Sequence, residues 1–183
     1  MDSFQGHLLI ASPQLLDPNF VQTVTLLLRH NAEGALGVVL NRPTCKTVKE
    51  LWQELGQGEC PCEQPVYLGG PVSGPLLAVH TDVFLAEGEI LPQLYLAASK
   101  EKLDDLVHHA TPPFKLFVGN AGWGAGQLEK EFEMGGWLTL PATTELVFYQ
   151  GEDLWDQVAK RAGGSALREM LKLKHVPDDP SLN

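Results

Sequence analysis

The spacing of hydrophobic and polar positions changes period several times along this chain, and each change marks an element. His7–Ala11 is a short apolar run, followed by a turn signal at Asp17-Pro18-Asn19. Thr23–Arg29 (TVTLLLR) is β-branched, then leucine-rich, and predicts a strand. Ala35–Asn41 (ALGVVLN) predicts another, and the polar insert His30–Gly34 between them makes the pair a β-hairpin. Arg42-Pro43 is expected to stop the second strand, because proline cannot donate to a ladder. Over Thr47–Leu55 the period becomes helical, with Val48, Leu51, Trp52 and Leu55 on one face.

The second half mixes both periods. Gly56–Pro65 reads as a loop, and Val66–Leu68 as a short strand running into Gly69-Gly70-Pro71. Leu76–His80 and Val83–Leu91 are strand candidates. Ser99 can cap a helix over Lys100–Ala110 that buries Leu103, Leu106 and Val107. Lys115–Val118 predicts a strand entering the glycine loop Gly119–Gly126, and Gln127–Met134 a helix. Trp137–Leu140 predicts a strand closed by Pro141. Glu152–Ala162 predicts a helix ended by Gly163-Gly164, and Ser165 a last helix burying Leu167, Met170 and Leu171. The elements alternate without regular βαβ units, and the opening hairpin forces antiparallel pairing. The expected class is therefore α+β: a single domain over residues 1–175, one strongly bent, mainly antiparallel sheet flanked by helices, with a C-terminal tail at 176–183.

Composition narrows the function classes. Thirteen Lys and Arg against twenty-three Asp and Glu leave a net charge of −10. The cations are scattered among acids, so direct nucleic-acid binding and docking on an anionic membrane are not expected. The 183 residues have 44% hydrophobic content and a mean hydropathy of −0.07, as in an ordinary globular protein. No apolar stretch approaches the roughly 20 residues of a membrane helix, and the N-terminus lacks the features of a secretion signal. Three cysteines, an odd number, read as reduced thiols of a cytoplasmic protein.

Four places hold candidate chemistry. Gly119–Gly126 can present backbone N–H groups at a helix start, yet it fits neither a P-loop nor GxGxxG, and it also reads as a structural corner. Ser73 stands one place late for a nucleophile elbow and reads mainly as a turn residue. His30, Asn31 and Glu33 gather an imidazole, an amide and a carboxylate at a hairpin tip, suited to acid/base work or to a polar ligand. Cys60-Pro61-Cys62 with Cys45 is too sparse for a zinc site, so no metal or cofactor is expected. The adjacent pair His108-His109 matches no metal motif either.

Several stretches in order resemble the AlgH/YqgE family over almost the whole chain. They are His7–Pro13 (HLLIASP), Asp17–Phe20 (DPNF), His30–Pro43 (HNAEGALGVVLNRP), Leu68–Val72 (LGGPV) and Ala121–Glu129 (AGWGAGQLE). The resemblance implies a single-domain α+β fold with a strongly coiled, mainly antiparallel sheet, in a bacterial cytosolic protein. It implies no biochemical activity, only the label of transcriptional regulator. His30, Asn31, Asn41, Gly70, Pro71, Trp123, Gln127 and Glu129 fall on the family's motif positions. Asn120 departs from the pattern, standing where the family commonly has Tyr, and the Cys60–Cys62 loop is not part of it.

The leading expectation is a non-enzymatic protein that binds a small molecule or a protein partner and regulates indirectly. Its surface would be built from His30, Asn31, Glu33, Gly70, Pro71, Gly122, Trp123, Gln127 and Glu129. The alternative is a hydrolase or other acid/base enzyme using His30 with Glu33 or Glu129.

Overall fold

A computed structural model describes residues 3–109 and 113–173, the stretch 165–173 by its backbone only. Two sheets form the body. The first holds β1 (His7–Ala11), β2 (Val24–Asn31), β3 (Gly34–Val39), β10 (Ala121–Gly124) and β11 (Trp137–Pro141), all antiparallel, in the order β10-β3-β2-β1-β11. The second holds β4 (Pro43–Thr47), β5 (Pro65–Leu68), β6 (Leu77–His80), β7 (Gly88–Leu91), β8 (Leu94–Ala97) and β9 (Phe114–Val118), in the order β4-β5-β9-β6-β8-β7. Only its β5–β9 pair is parallel. The α+β class stands; the single bent sheet is corrected to two.

Layering explains the long apolar runs. Leu8, Ile10, Leu26 and Val38 of the first sheet share the main core with Tyr67, Leu77, Val79 and Phe117 of the second. α4 (Thr144–Val147) and the start of α5 (Leu154–Leu173) add Leu146, Val147, Leu154 and Val158. On the far side of the second sheet, α1 (Val48–Glu54) and α2 (Lys100–His109) bury Trp52, Leu103 and Leu106 against Ala78 and Leu116. On the far side of the first, α3 (Gln127–Glu133) places Leu128 on Leu9, Leu27 and Ala121. Strands covered on both faces need apolar residues at successive positions, as HLLIA and TVTLLLR supply.

Several expected boundaries move. Pro43 does not merely end β3; it opens β4, an edge strand whose first residue tolerates a missing N–H. Val83–Leu91 is not one strand. Asp82 caps a 3-10 turn over Val83–Leu85, and only Gly88–Leu91 pairs, with the unforeseen β8. The glycine loop is largely a strand, β10, because Gly122 and Gly124 occupy its exposed positions and Ala121 and Trp123 its buried ones. Gly163-Gly164 does not end α5: glycine inside a helix costs only about 1 kcal/mol relative to Ala, and neither residue adopts a positive φ. Ser165 therefore lies inside that helix rather than starting another. Ala110, the side chains of Leu167, Met170 and Leu171, and the tail at 176–183 lie outside the described residues.

Candidate functional site

The motif residues concentrate along β10, whose two ends differ. At its C-terminal end, β10 pairs with the β2–β3 hairpin, Trp123 opposite Ala35 and Gly124 opposite Gly34. This brings the start of α3 to His30. The Phe4 N–H donates to His30 Nδ1 at 3.0 Å, which leaves the ring hydrogen on Nε2. Nε2 then donates to Glu129 Oε1, also at 3.0 Å. His30 is buried, and the Glu129 carboxyl titrates below the usual carboxylate range. Its own backbone N–H is the main cause; His30 adds to it, and burial opposes both. Asn31 Oδ1 accepts the Glu33 N–H at 2.9 Å, an Asx turn at the hairpin tip that leaves Glu33 exposed. Glu129, not Glu33, is the carboxylate paired with His30.

Two residues further along α3, Glu131 accepts both the Trp123 and the Trp137 indole N–H on Oε2, at 2.9 and 2.8 Å. Gln127 donates to Glu131 Oε1 at 3.0 Å and accepts the Gly124 N–H at 3.0 Å. Phe20 stacks on Trp123 at 5.9 Å and meets Trp137 edge-on at 5.4 Å. The loop carrying Phe20 is held by Arg42, which donates to Asn19 O at 2.7 Å. Asn41 pins the next strand by accepting the Val24 N–H at 2.9 Å. Trp123 and Gln127, expected to contact a ligand, are instead committed to this scaffold.

At the N-terminal end of β10 the chain passes from the second sheet to the first. Residues 69–72 cross residues 118–120 there, with Gly69 N–H donating to Val118 O at 2.8 Å and Val72 and Asn120 exchanging bonds at 2.9 and 3.0 Å. Val39 N–H also donates to Gly69 O, at 2.8 Å, so this crossing stitches the two sheets. A Cβ on Gly69 would overlap Gly119 O, and one on Gly70 would overlap Asn120 O; Gly70 and Gly119 moreover adopt positive φ. The seam is glycine because backbone meets backbone. Beside it lies an open hollow of about 290 Å³ lined by Gly70, Pro71, Val72, Ser73 and Val118, among others. Leu68, Val72 and Val118 are exposed around it. No histidine lines it, so Ser73 has no base there.

The residues expected to form one surface therefore fall in two places. The hairpin tip meets the start of α3, while Gly70 and Pro71 belong to the seam, separated from the tip by the length of β10, roughly 13 Å.

One functional-looking group went unnoticed in the sequence. Lys115 on β9 is 3% exposed and donates to Leu40 O at 3.2 Å and Tyr149 O at 2.9 Å, with its ammonium 4.4 Å from the Tyr67 ring centre. Burial lowers its pKa to about 8. The signal was a lone cation inside FKLFV, an otherwise apolar strand.

The cysteines are unpaired: Cys45 is exposed, Cys60 buried and Cys62 half-buried, where burial pushes the thiol up. Among the described residues, no group of three His, Cys, Asp or Glu is placed to hold a metal. His108 ties α2 to the loop after α1 through Asp104 O and Glu59 O, at 2.8 and 3.0 Å, and both carbonyls raise its pKa. Among the described residues no helix is long and apolar enough to cross a membrane.

Known proteins share this arrangement. The model of the AlgH-like family matches residues 8–167. This chain belongs to the AlgH-like family. It is 37% identical over 185 residues to UPF0301 protein CT0663 of Chlorobaculum tepidum, covering 97% of this chain and 95% of that one. A UPF0301 protein of Myxococcus xanthus is 39% identical over 168 residues, covering 89% and 93%. The solution structure of the AlgH protein from Pseudomonas aeruginosa superposes with a TM-score of 0.75 at 34% identity, over 91% of this chain and 93% of that one. A Corynebacterium diphtheriae protein, DIP2367, shares the fold at a TM-score of 0.72 and 24% identity, covering 88% and 87%.

Proposed function

We propose that this AlgH-like protein acts by binding, and that its contact surface is the glycine seam with the adjoining edge of β10. The observation that carries this reading is the hollow at the seam, with Leu68, Val72 and Val118 standing in solvent around it. Three exposed aliphatic side chains in one place favour an apolar partner. β10 is the last strand of its sheet, and Gly122 on it is exposed with open space where a Cβ would stand. The Gly124 N–H bonds a side chain, Gln127, rather than β3, so the alternate residue Gly122 turns its backbone groups outward as well. An extended segment of a partner protein fits this edge as an added strand, its apolar side chains seated in the hollow. A net charge of −10 favours a partner with basic flanks.

Regulation would then run through a protein and not through DNA, since this charge opposes contact with phosphates. Three unpaired cysteines suit the reducing cytoplasm in which we place the protein. The hydrolase alternative is weaker, because His30 accepts at Nδ1 and donates at Nε2 and so has no free lone pair for a substrate proton.

The test is a photo-crosslinking residue placed at Val118, at Val72, or at Phe84, which is 86% exposed and remote from the seam in sequence. Adducts to one extended apolar segment are expected from 118 and 72, and loss of the adduct at 72 on Val118→Asp. Equal labelling from position 84, or adducts indifferent to Val118→Asp, would remove the proposal.

A further inference from the structure

His80, the last residue of β6, is fully buried, yet among the described residues neither of its ring nitrogens has a hydrogen-bond partner. A buried imidazole left unbonded at both nitrogens is uncommon in a native fold. Alternation with Ala78 puts the ring on the sheet face that α2 covers. It meets Asp82 and Glu87 from the turn that follows β6, and Tyr95 from β8, whose ring centre is 6.1 Å away. Its neighbour on β9 is the uncharged Phe114. From α2, Lys102 reaches over the same turn and donates to Phe84 O at 3.3 Å. Both carboxylates already hold backbone. Asp82 Oδ1 accepts the Phe84 N–H at 2.9 Å and so caps the 3-10 turn. Glu87 Oε2 accepts the Ala98 and the Ser99 N–H, the latter at 2.8 Å, where the chain enters α2.

We propose that His80 is an acid-sensitive latch on the turn over residues 82–87. While neutral, the ring lies buried and leaves Asp82 and Glu87 to pin the backbone. Once protonated, it carries a buried charge and two N–H donors. Asp82 and Glu87 are the carboxylates that can meet them, and a ring moving to either takes that side chain from the N–H groups it holds. The turn that opens carries Val83 and Phe84, already 58% and 86% exposed. Burial is the main influence on the ring and lowers its pKa from 6.5; the two carboxylates and the backbone of Asp82 and Leu96 oppose it without prevailing. The open form therefore takes up a proton that the closed form lacks, and the closed form loses stability as pH falls below 6.5. Glu87 stays charged over that range, because its bonds from Ala98 and Ser99 hold it below the usual carboxylate range. The latch does not depend on the contact surface proposed above.

The test is amide hydrogen exchange by NMR at about pH 7.5 and about pH 5.5, each rate corrected for the intrinsic pH dependence of exchange. The reporters are the Phe84, Ala98 and Ser99 N–H groups that the two carboxylates hold, with Leu26 in the first sheet as the control. At the lower pH the open fraction read by the three reporters should rise several-fold, and by no more than about tenfold, since one proton is taken up and the window spans about one pH unit below 6.5. Leu26 should not change. His80→Phe, which keeps a ring and removes the titration, should abolish the rise. Should His80→Phe fail to fold, the ring carbon shifts of His80 in the unmodified protein decide: its protonation should coincide with the loss of protection at Phe84, Ala98 and Ser99. An equal rise at Leu26, a rise that persists in His80→Phe, or a ring that protonates while the three amides stay protected would overturn the proposal.

Discussion

The two ends of β10 are built on opposite plans. At the hairpin end His30 bonds Glu129, Gln127 and two tryptophans bond Glu131, and the ring of Phe20 packs on the tryptophans. At the seam end no side chain holds the crossing; two backbones touch, and the apolar side chains beside them face water. Polar residues in a sequence draw attention as chemistry, yet here most of them are scaffold. On the reading proposed above, the residues that would meet a partner are aliphatic ones that no motif search flags.

The strongest way to break this comparison is at the seam. Gly70→Ala puts a Cβ into Asn120 O at a positive φ, with only backbone to yield. It should cost about 4 kcal/mol or more in urea denaturation, enough to threaten folding. Gly122→Ala, on β10 and with open space, should fall within about 0.5 kcal/mol of wild type. If Gly70→Ala were as mild, the seam would not be rigid.

A buried charge tests whether burying a polar group is stabilising only when it is fully paired. Lys115 has carbonyl partners but no carboxylate, and burial brings its pKa down to about 8 from 10.5. Between those values the unfolded chain holds the proton that the folded protein has lost. Stability from this group therefore rises as pH climbs from about 8 toward 10.5, by on the order of 3 kcal/mol at most. Lys115→Met should erase that rise. The check is the difference between wild type and variant at each pH, which cancels the opposing contribution of buried Tyr67. A rise that persists in the variant would mean that Lys115 is not the group responsible.

The packed end predicts a smaller loss. His30→Ala removes the acceptor of the Phe4 N–H and the donor to Glu129, and should cost about 2 kcal/mol. A double-mutant cycle with Glu129→Gln should give a coupling of about 1 kcal/mol, because Glu129 is partly solvated. A coupling near zero would make the pair incidental and reopen His30 as a group free to act elsewhere.

Much of this was legible in the sequence. The hairpin over β2 and β3, the amphipathic helices and the α+β class followed from period and turn chemistry. The pairing of His30 with the α3 region was open as an alternative, with Glu33 or Glu129 as partner. β10 escaped because a strand with glycine at alternate positions has no apolar alternation to display. The division into two sheets escaped because it depends on where residues 69–72 cross residues 118–120, a contact about fifty residues long in sequence separation. Glu131 looked like one acid in an acidic helix; only the fold brings Trp123 and Trp137 to it.

The smallest expected effect on stability sharpens the comparison most. Val118 is 39% exposed at the end of β9, and Leu68 is 42% exposed beside it. Val118→Asp removes little buried surface and should shift the unfolding free energy by less than about 1 kcal/mol, most of it from the poorer strand propensity of aspartate. If the seam is a contact surface, the same change should abolish the crosslinks formed from position 72. Stability and binding would then separate at one residue. His30→Ala should show the reverse, a clear loss of stability with crosslinking intact wherever the protein remains folded. Should Val118→Asp unfold the protein instead, the exposed aliphatic residues would be part of the core, and the two ends of β10 would differ only in which atoms do the packing.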